Sequence, residues 1–153
     1  MAGGGQSGYC VRVMTRILLV EDSQAMRTYV RAALEGLPVL GDDVEIIEAA
    51  SGFNALRLLP RASYDLVITD INMPDINGLE LVSFVRKSER YREIPLLIIS
   101  TQSSERDRAR GLALGADAFL AKPFTPEALR DAVTQSLSGR GSRLGDAAAR
   151  SRA

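Results

Sequence analysis

Five times between Arg16 and Leu137 a short apolar run gives way to a stretch with helical spacing, and this alternation limits the fold more than any other feature of the chain. The runs Ile17–Val20, Glu45–Ala49, Leu66–Thr69, Leu96–Ile99 and Ala118–Ala121 read as strands. Three of them, "ILLV", "LVIT" and "LLII", are nearly continuous in apolar residues, the pattern of parallel strands buried on both faces. Helical spacing recurs over Gln24–Leu34, Phe53–Leu59, Leu79–Lys87, Glu105–Leu114 and Glu127–Leu137. Several boundaries have a physical reason. Ser23 is placed to cap the first helix, and Thr125 the last, with Pro126 at its first position and Glu127 at the positive end of its dipole. Gly115 suits a left-handed residue that stops the fourth helix. A strand–helix–strand crossover is right-handed and returns over its sheet. Five such repeats therefore predict an α/β domain whose five-stranded parallel sheet carries helices on both faces.

The flanks depart from this pattern. "MAGGGQSGYCVRV" is glycine-rich and aperiodic, so residues 1–15 are expected to form a flexible extension, with Met14 a possible natural start. "SGRGSRLGDAAARSRA" is small, polar and dotted with arginine, so residues 138–153 are expected to be a disordered tail. One domain over residues 16–137 remains. Residues 16–138 hold 14 basic and 18 acidic side chains, a net charge of −4, which argues against nucleic acid binding by the folded part. The chain has no histidine, hence no imidazole base, no imidazole metal ligand and no phosphohistidine of its own. Cys10 stands alone, which excludes an internal disulfide and a thiolate zinc site. No run approaches the roughly 20 apolar residues that span a bilayer, so the expectation is a cytoplasmic protein without a membrane partner.

Chemistry collects where the strands end. The first runs into Glu21 and Asp22, the third into Asp70 within "DLVITDINMPDINGLEL", the fourth into Ser100 and Thr101, and the fifth into Lys122 and Pro123. In an open α/β sheet these C-terminal ends share one edge, where ligands bind. Two like charges about 4 Å apart repel by about 4 kcal/mol at an effective dielectric near 20, so three ionised carboxylates need a counter-charge. Mg²⁺ meets that need with carboxylate, carbonyl and water oxygens. Carboxylates, a metal, a lysine and a hydroxyl together suit in-line attack by an aspartate on phosphorus. Asp70, which closes the most buried-looking strand, is the natural nucleophile.

These segments also carry a family resemblance. "RILLVEDS", "DLVITDINMPDINGLELV", "LLIIST" and "GADAFLAKPF" resemble, in order and separation, the four signature segments of the bacterial response-regulator receiver domain, the fold of the chemotaxis protein CheY. The resemblance spans residues 16–137 and implies a flavodoxin-like, doubly wound sheet of strand order 2-1-3-4-5. It implies that Asp70 is the phosphorylated residue, that Glu21 and Asp22 hold Mg²⁺, and that Asn72 offers its backbone carbonyl to the metal. Ser100 matches the switch hydroxyl, and the Thr101 N–H is expected to help cradle the phosphoryl group. Lys122 matches the lysine that pairs with it, and Pro123 the proline whose preceding bond is cis. Phe119 sits at the aromatic position that turns inward when the hydroxyl moves, while Asn72 and Gln102 match positions that tune hydrolysis. Partners by resemblance are a sensor histidine kinase and a downstream protein or phosphotransfer partner. The protein is then a stand-alone signalling phosphoacceptor, not an enzyme acting on other substrates. Glu-Asp replaces the commoner Asp-Asp, Ser100 the commoner threonine, and Phe119 lacks the hydroxyl of the chemotaxis tyrosine.

Each residue also has a bland reading. A strand-ending Asp often caps a turn, Glu21 and Asp22 would favour a helix N-terminus, and Phe119 is nearly as well read as a core ring. Pro74 and Gly78 read as loop geometry alone. Their coincidence on one sheet edge favours the functional reading, with no such set on the other edge. A haloacid-dehalogenase-like phosphohydrolase would need an acid–base Asp where this chain has Asn72. A flavodoxin-type binding module would need a phosphate loop where "EDSQAM" is acidic. A pseudo-receiver kept for protein contacts would have no need of the complete reactive set.

Overall fold

The computed structural model describes residues 14–101 and 105–138. The expectations for Cys10, for Gln102 and for nearly all of both flanks lie outside these residues. The elements are β1 (Met14–Val20), α1 (Gln24–Leu34), β2 (Asp43–Ala49), α2 (Gly52–Leu58), β3 (Leu66–Asp70), α3 (Gly78–Lys87), β4 (Leu96–Ser100), α4 (Glu105–Leu114) and β5 (Ala118–Ala121). A last helix, α5, covers residues 126–138. All five strands are parallel, in the order β2-β1-β3-β4-β5. No helix among the described residues is long and apolar enough to cross a membrane.

Burial explains why the apolar runs become central strands. Ile17 to Val20, Leu66 to Ile68 and Leu96 to Ile99 are all fully buried, because β1, β3 and β4 have a strand on each side and helices on both faces. Alternate residues feed two separate cores. Leu18, Val20, Val67, Ile98 and Phe119 pack with α2 and α3 through Ala55, Leu79, Val82 and Val85. Ile17, Leu19, Leu66, Ile68 and Ile99 pack with α1 and α5 through Val30, Leu34, Leu129 and Val133.

The expected boundaries hold closely, and the departures have local causes. Strand β1 starts at Met14, inside the extension expected over 1–15, because Met14 and Thr15 pair with Asp43 and Val44 of β2. Helix α2 runs Gly52–Leu58 where Phe53–Leu59 was expected: the Ser51 hydroxyl caps it by accepting from the Asn54 N–H at 3.1 Å, and the chain tightens into a 3-10 turn at Leu59–Arg61 around Pro60. The Ser23 hydroxyl accepts from the Met26 N–H at 3.2 Å and the Thr125 hydroxyl from the Ala128 N–H at 3.1 Å, so both expected caps form. Gly115, at φ +120°, stops α4 in a conformation that favours glycine.

The opposite edge of the sheet holds a charged pair that local sequence did not signal. Asp117, just before β5, accepts from Arg86 at 3.0 Å and from the Leu96 N–H at 2.9 Å, with its side chain only 2% exposed. Arg86 also donates to the carbonyls of Gly115, Arg92 and Ile94 at 2.8, 2.9 and 2.6 Å. This guanidinium fastens the end of α3 to the starts of β4 and β5.

Candidate functional site

Four strand ends build the site. Glu21 follows β1 immediately and is 1% exposed, a burial that its backbone secures by donating to the Ala49 carbonyl of β2 at 2.9 Å. Asp70 is the last residue of β3 and is 5% exposed. Ser100 closes β4, fully buried, and its carbonyl accepts from the Lys122 N–H at 2.8 Å, which fixes the chain where it leaves β5. The Lys122–Pro123 peptide bond is cis, as the resemblance implied.

The side chains meet through Lys122. Its Nζ donates to Glu21 Oε1 at 2.8 Å and to Asp70 Oδ2 at 3.1 Å, joining the residue after β1, the end of β3 and the loop after β5. Glu21 Oε2 accepts from the Ser23 N–H at 3.0 Å, and Asp70 Oδ1 from the Asn72 N–H at 3.3 Å. Burial raises the Glu21 carboxyl above the usual carboxylate range, more than the Lys122 and Ser23 bonds lower it. Burial alone would lower the Lys122 ammonium, yet its bonds to Glu21 and Asp70 outweigh that and raise it.

Glu21, Asp22 and Asp70 each present a carboxylate oxygen, all within 4.8 Å of one another. Lys122 sets one positive charge against these three carboxylates. The oxygen-only donor set, with one exposed member in Asp22 and two buried ones, fits a hard divalent cation that keeps part of its water shell.

The remaining expected residues are distributed as follows. Asn72 is exposed in the loop after β3, and Thr101 is exposed directly after Ser100. Phe119 pairs in register with Ile98, is 6% exposed, and its ring lies in the core against Gly111 of α4. It faces inward here, as both the switch and the core readings allow.

Two features escape a reading of local sequence. Arg27 on α1 donates to the Glu21 carbonyl at 2.7 Å and is braced by Glu48 of β2 at 2.7 Å, and Arg31 also bonds Glu48. These side chains steady the backbone that presents Glu21. The Tyr29 hydroxyl donates to the Phe124 carbonyl at 2.7 Å with the two rings edge to face, which ties α1 to the loop after Lys122.

A Cβ on Gly78 would stand 2.1 Å from the Asp70 carbonyl oxygen and 2.9 Å from Ile71 Cα, so the first turn of α3 sits against the Asp70 backbone only because no side chain intervenes. Gly78→Ala is expected to lower stability by about 3 kcal/mol in urea denaturation, since backbone, not a flexible side chain, must move.

The comparisons with known proteins agree with this arrangement. The family profile described as "Response regulator receiver domain" matches residues 17–134. The chain is 36% identical over 133 residues to a chemotaxis protein CheY homolog of Campylobacter jejuni, covering 86% of this chain and 98% of that one. It is 37% identical over 111 residues to the KDP operon transcriptional regulatory protein KdpE of Escherichia coli, covering 72% of this chain and 46% of that one. Among solved structures, the chemotaxis response regulator CheY4 of Vibrio cholerae superposes with a TM-score of 0.72 at 34% identity, over 82% of this chain and all of that one. Such domains are signalling proteins of two-component systems; as a family they accept phosphoryl groups from histidine kinases, typically bind Mg²⁺ and act on downstream partners. With the CheY strand order and an acidic cluster at its C-terminal edge, this chain belongs to the response regulator receiver family.

Proposed function

We propose that Asp70 accepts a phosphoryl group from the phosphohistidine of a sensor kinase in a Mg²⁺-dependent reaction. The observation that carries this reading is the bridge from Lys122 Nζ to both Glu21 and Asp70 beside a three-carboxylate cluster. A carboxylate oxygen of Asp70 forms a bond to phosphorus as the bond from phosphorus to the histidine nitrogen breaks, and the electron pair leaves with the imidazole. Held by Glu21, Asp22, Asp70 and the Asn72 carbonyl, Mg²⁺ would supply positive charge to the phosphoryl oxygens. Lys122 pairs with the phosphoryl group, and exchanges one of its carboxylate contacts for a phosphoryl oxygen as charge accumulates there. The Asn72 N–H holds Asp70 Oδ1 in orientation.

The signal then passes through Ser100 and Phe119. The Ser100 hydroxyl and the Thr101 N–H take the new phosphoryl oxygens, and Phe119 follows the space that Ser100 vacates. Phe119 also lines a groove of about 360 Å³ with Arg108, Leu112, Ala128, Asp131 and Gln135, between α4, β5 and α5. Phosphorylation exchanges the single negative charge of the Asp70 carboxylate for nearly two on the phosphoryl group and biases this surface between two states, which a downstream protein or phosphotransfer partner reads.

The test is intact-mass measurement after incubation with acetyl phosphate. A phosphoryl adduct is expected in the wild type with Mg²⁺, absent with chelator and absent in Asp70→Asn. An adduct that persists undiminished in Asp70→Asn would remove Asp70 from the role.

A further inference from the structure

We infer that Asp75 is a positioning residue for the metal: it locks the loop that carries Asn72 to the start of α2, and so sets how tightly Mg²⁺ is held. The inference rests on the reading of Glu21, Asp22, Asp70 and the Asn72 carbonyl as the metal site. Asp75 lies three positions after Asn72, and its carboxylate is engaged by the Gly52, Phe53 and Ile76 N–H groups and is not one of the three that cluster, so it is not itself a ligand in that reading.

Two separate observations meet at this loop. Asp75 spans two segments with one carboxylate: Oδ1 accepts from the Gly52 N–H at 3.0 Å and the Ile76 N–H at 2.7 Å, and Oδ2 from the Phe53 N–H at 2.9 Å. The Phe53 N–H first, then those of Ile76 and Gly52, hold the carboxyl down at about 2, so it stays ionised at any working pH. Independently, the backbones of the two segments touch. A Cβ on Gly52 would lie 2.7 Å from both the Cβ and the carbonyl oxygen of Ile76. The loop therefore abuts α2 through both a charged clasp and a steric seat.

The clasp adds to what holds the middle of the loop, where the Asn72 N–H donates to Asp70 Oδ1 at 3.3 Å. At one end the Gly78 N–H donates to the Ile71 carbonyl at 2.9 Å; at the other Asn77 and Glu80 form the capping box of α3. Between them Asn72 is exposed and Met73 packs against the core. A carbonyl that serves a metal needs its peptide plane held, and partners outside the ligand shell commonly carry about 10-fold or more of metal affinity. Asp75 bonds Gly52, Phe53 and Ile76 and acts on the Asn72 peptide through Met73 and Pro74, the two residues between them.

The test is calorimetric titration of Mg²⁺ into unphosphorylated protein, together with phosphorylation by acetyl phosphate across Mg²⁺ concentrations. For Asp75→Ala the dissociation constant is expected to rise about 10-fold, with the phosphorylation rate returning to that of the wild type at saturating Mg²⁺. Asp75→Asn keeps an acceptor oxygen and is expected to fall between the two. Gly52→Ala, which disturbs the steric seat and leaves the carboxylate in place, is expected to weaken Mg²⁺ in the same direction, and it carries the test with Asp75→Asn if Asp75→Ala does not fold. A folded Asp75→Ala that melts earlier yet binds Mg²⁺ as the wild type does would overturn the inference and leave Asp75 a helix cap alone. A wild type that takes up no Mg²⁺ would overturn the reading of the metal site itself, and this inference with it.

Discussion

Replacing Lys122 by methionine is expected to slow phosphorylation by acetyl phosphate about 10²–10³-fold, the usual cost of removing one preorganised charge or donor from a reacting oxyanion. The same change has a thermodynamic signature. Without the ammonium, Glu21 and Asp70, both nearly buried, face each other with no bonded cation on either. In chelator the variant is expected to lose about 2 kcal/mol in urea denaturation, below the full cost of breaking a buried pair because Lys122 keeps some contact with solvent. Saturating Mg²⁺ is expected to restore most of that loss by binding the folded state. The pH dependence has a definite sign. Burial already raises the Glu21 carboxyl above its unfolded value, and removing Lys122 raises it further. Through the interval between the two values the folded state holds the proton more tightly, so in chelator the variant gains stability as pH falls from neutrality into that interval. A variant equally stable with and without Mg²⁺ would contradict the counter-ion role.

Arg86→Leu is expected to produce the largest loss of stability, about 3–5 kcal/mol by urea denaturation. The leucine leaves the Asp117 carboxylate buried without its guanidinium, and withdraws a donor from three carbonyls. Burial is what makes the loss large: at 2% exposure water cannot replace the lost partner. Adding Asp117→Asn is expected to return part of the loss, because it removes the stranded charge while the amide oxygen still accepts from the Leu96 N–H. Arg86 lies at the sheet edge away from Asp70. The phosphorylation rate of whatever fraction remains folded is therefore expected to stay near that of the wild type.

Much of this molecule is legible in its sequence, for reasons that differ from residue to residue. Strands β3 and β4 announce themselves because both of their faces must be apolar, and α1 and α4 have the residue ranges that helical spacing predicts. The acidic residues and Lys122 come together because each directly follows an apolar run, and parallel topology places all such positions on one edge. Arg86 with Asp117, Arg27 with the Glu21 carbonyl, and Asp75 with the start of α2 were not legible. Each joins residues with no periodic relation, and each looks locally like a solvated charge or a turn. Asp75 was the most nearly visible. Once α2 is known to start at Gly52, its first N–H groups require an acceptor, and the carboxylate of the neighbouring loop supplies one. Phe119 shows the limit of inference from residue type. An inward ring satisfies a core and a switch alike, and only a change on phosphorylation separates them.

The span of the Lys122 bridge also bears on how the protein matures. Lys122 lies 101 residues after Glu21 and 52 after Asp70. A chain emerging from the ribosome therefore carries its acidic residues long before their counter-charge exists. Contacts of such separation slow folding, because loop-closure entropy is lost before they reward it. A partly made chain, or one whose last strand has come loose, would hold a cluster of mutually repelling carboxylates in place of a reactive centre. On the reading proposed for Asp70, competence to be phosphorylated would then depend on completion of the sheet.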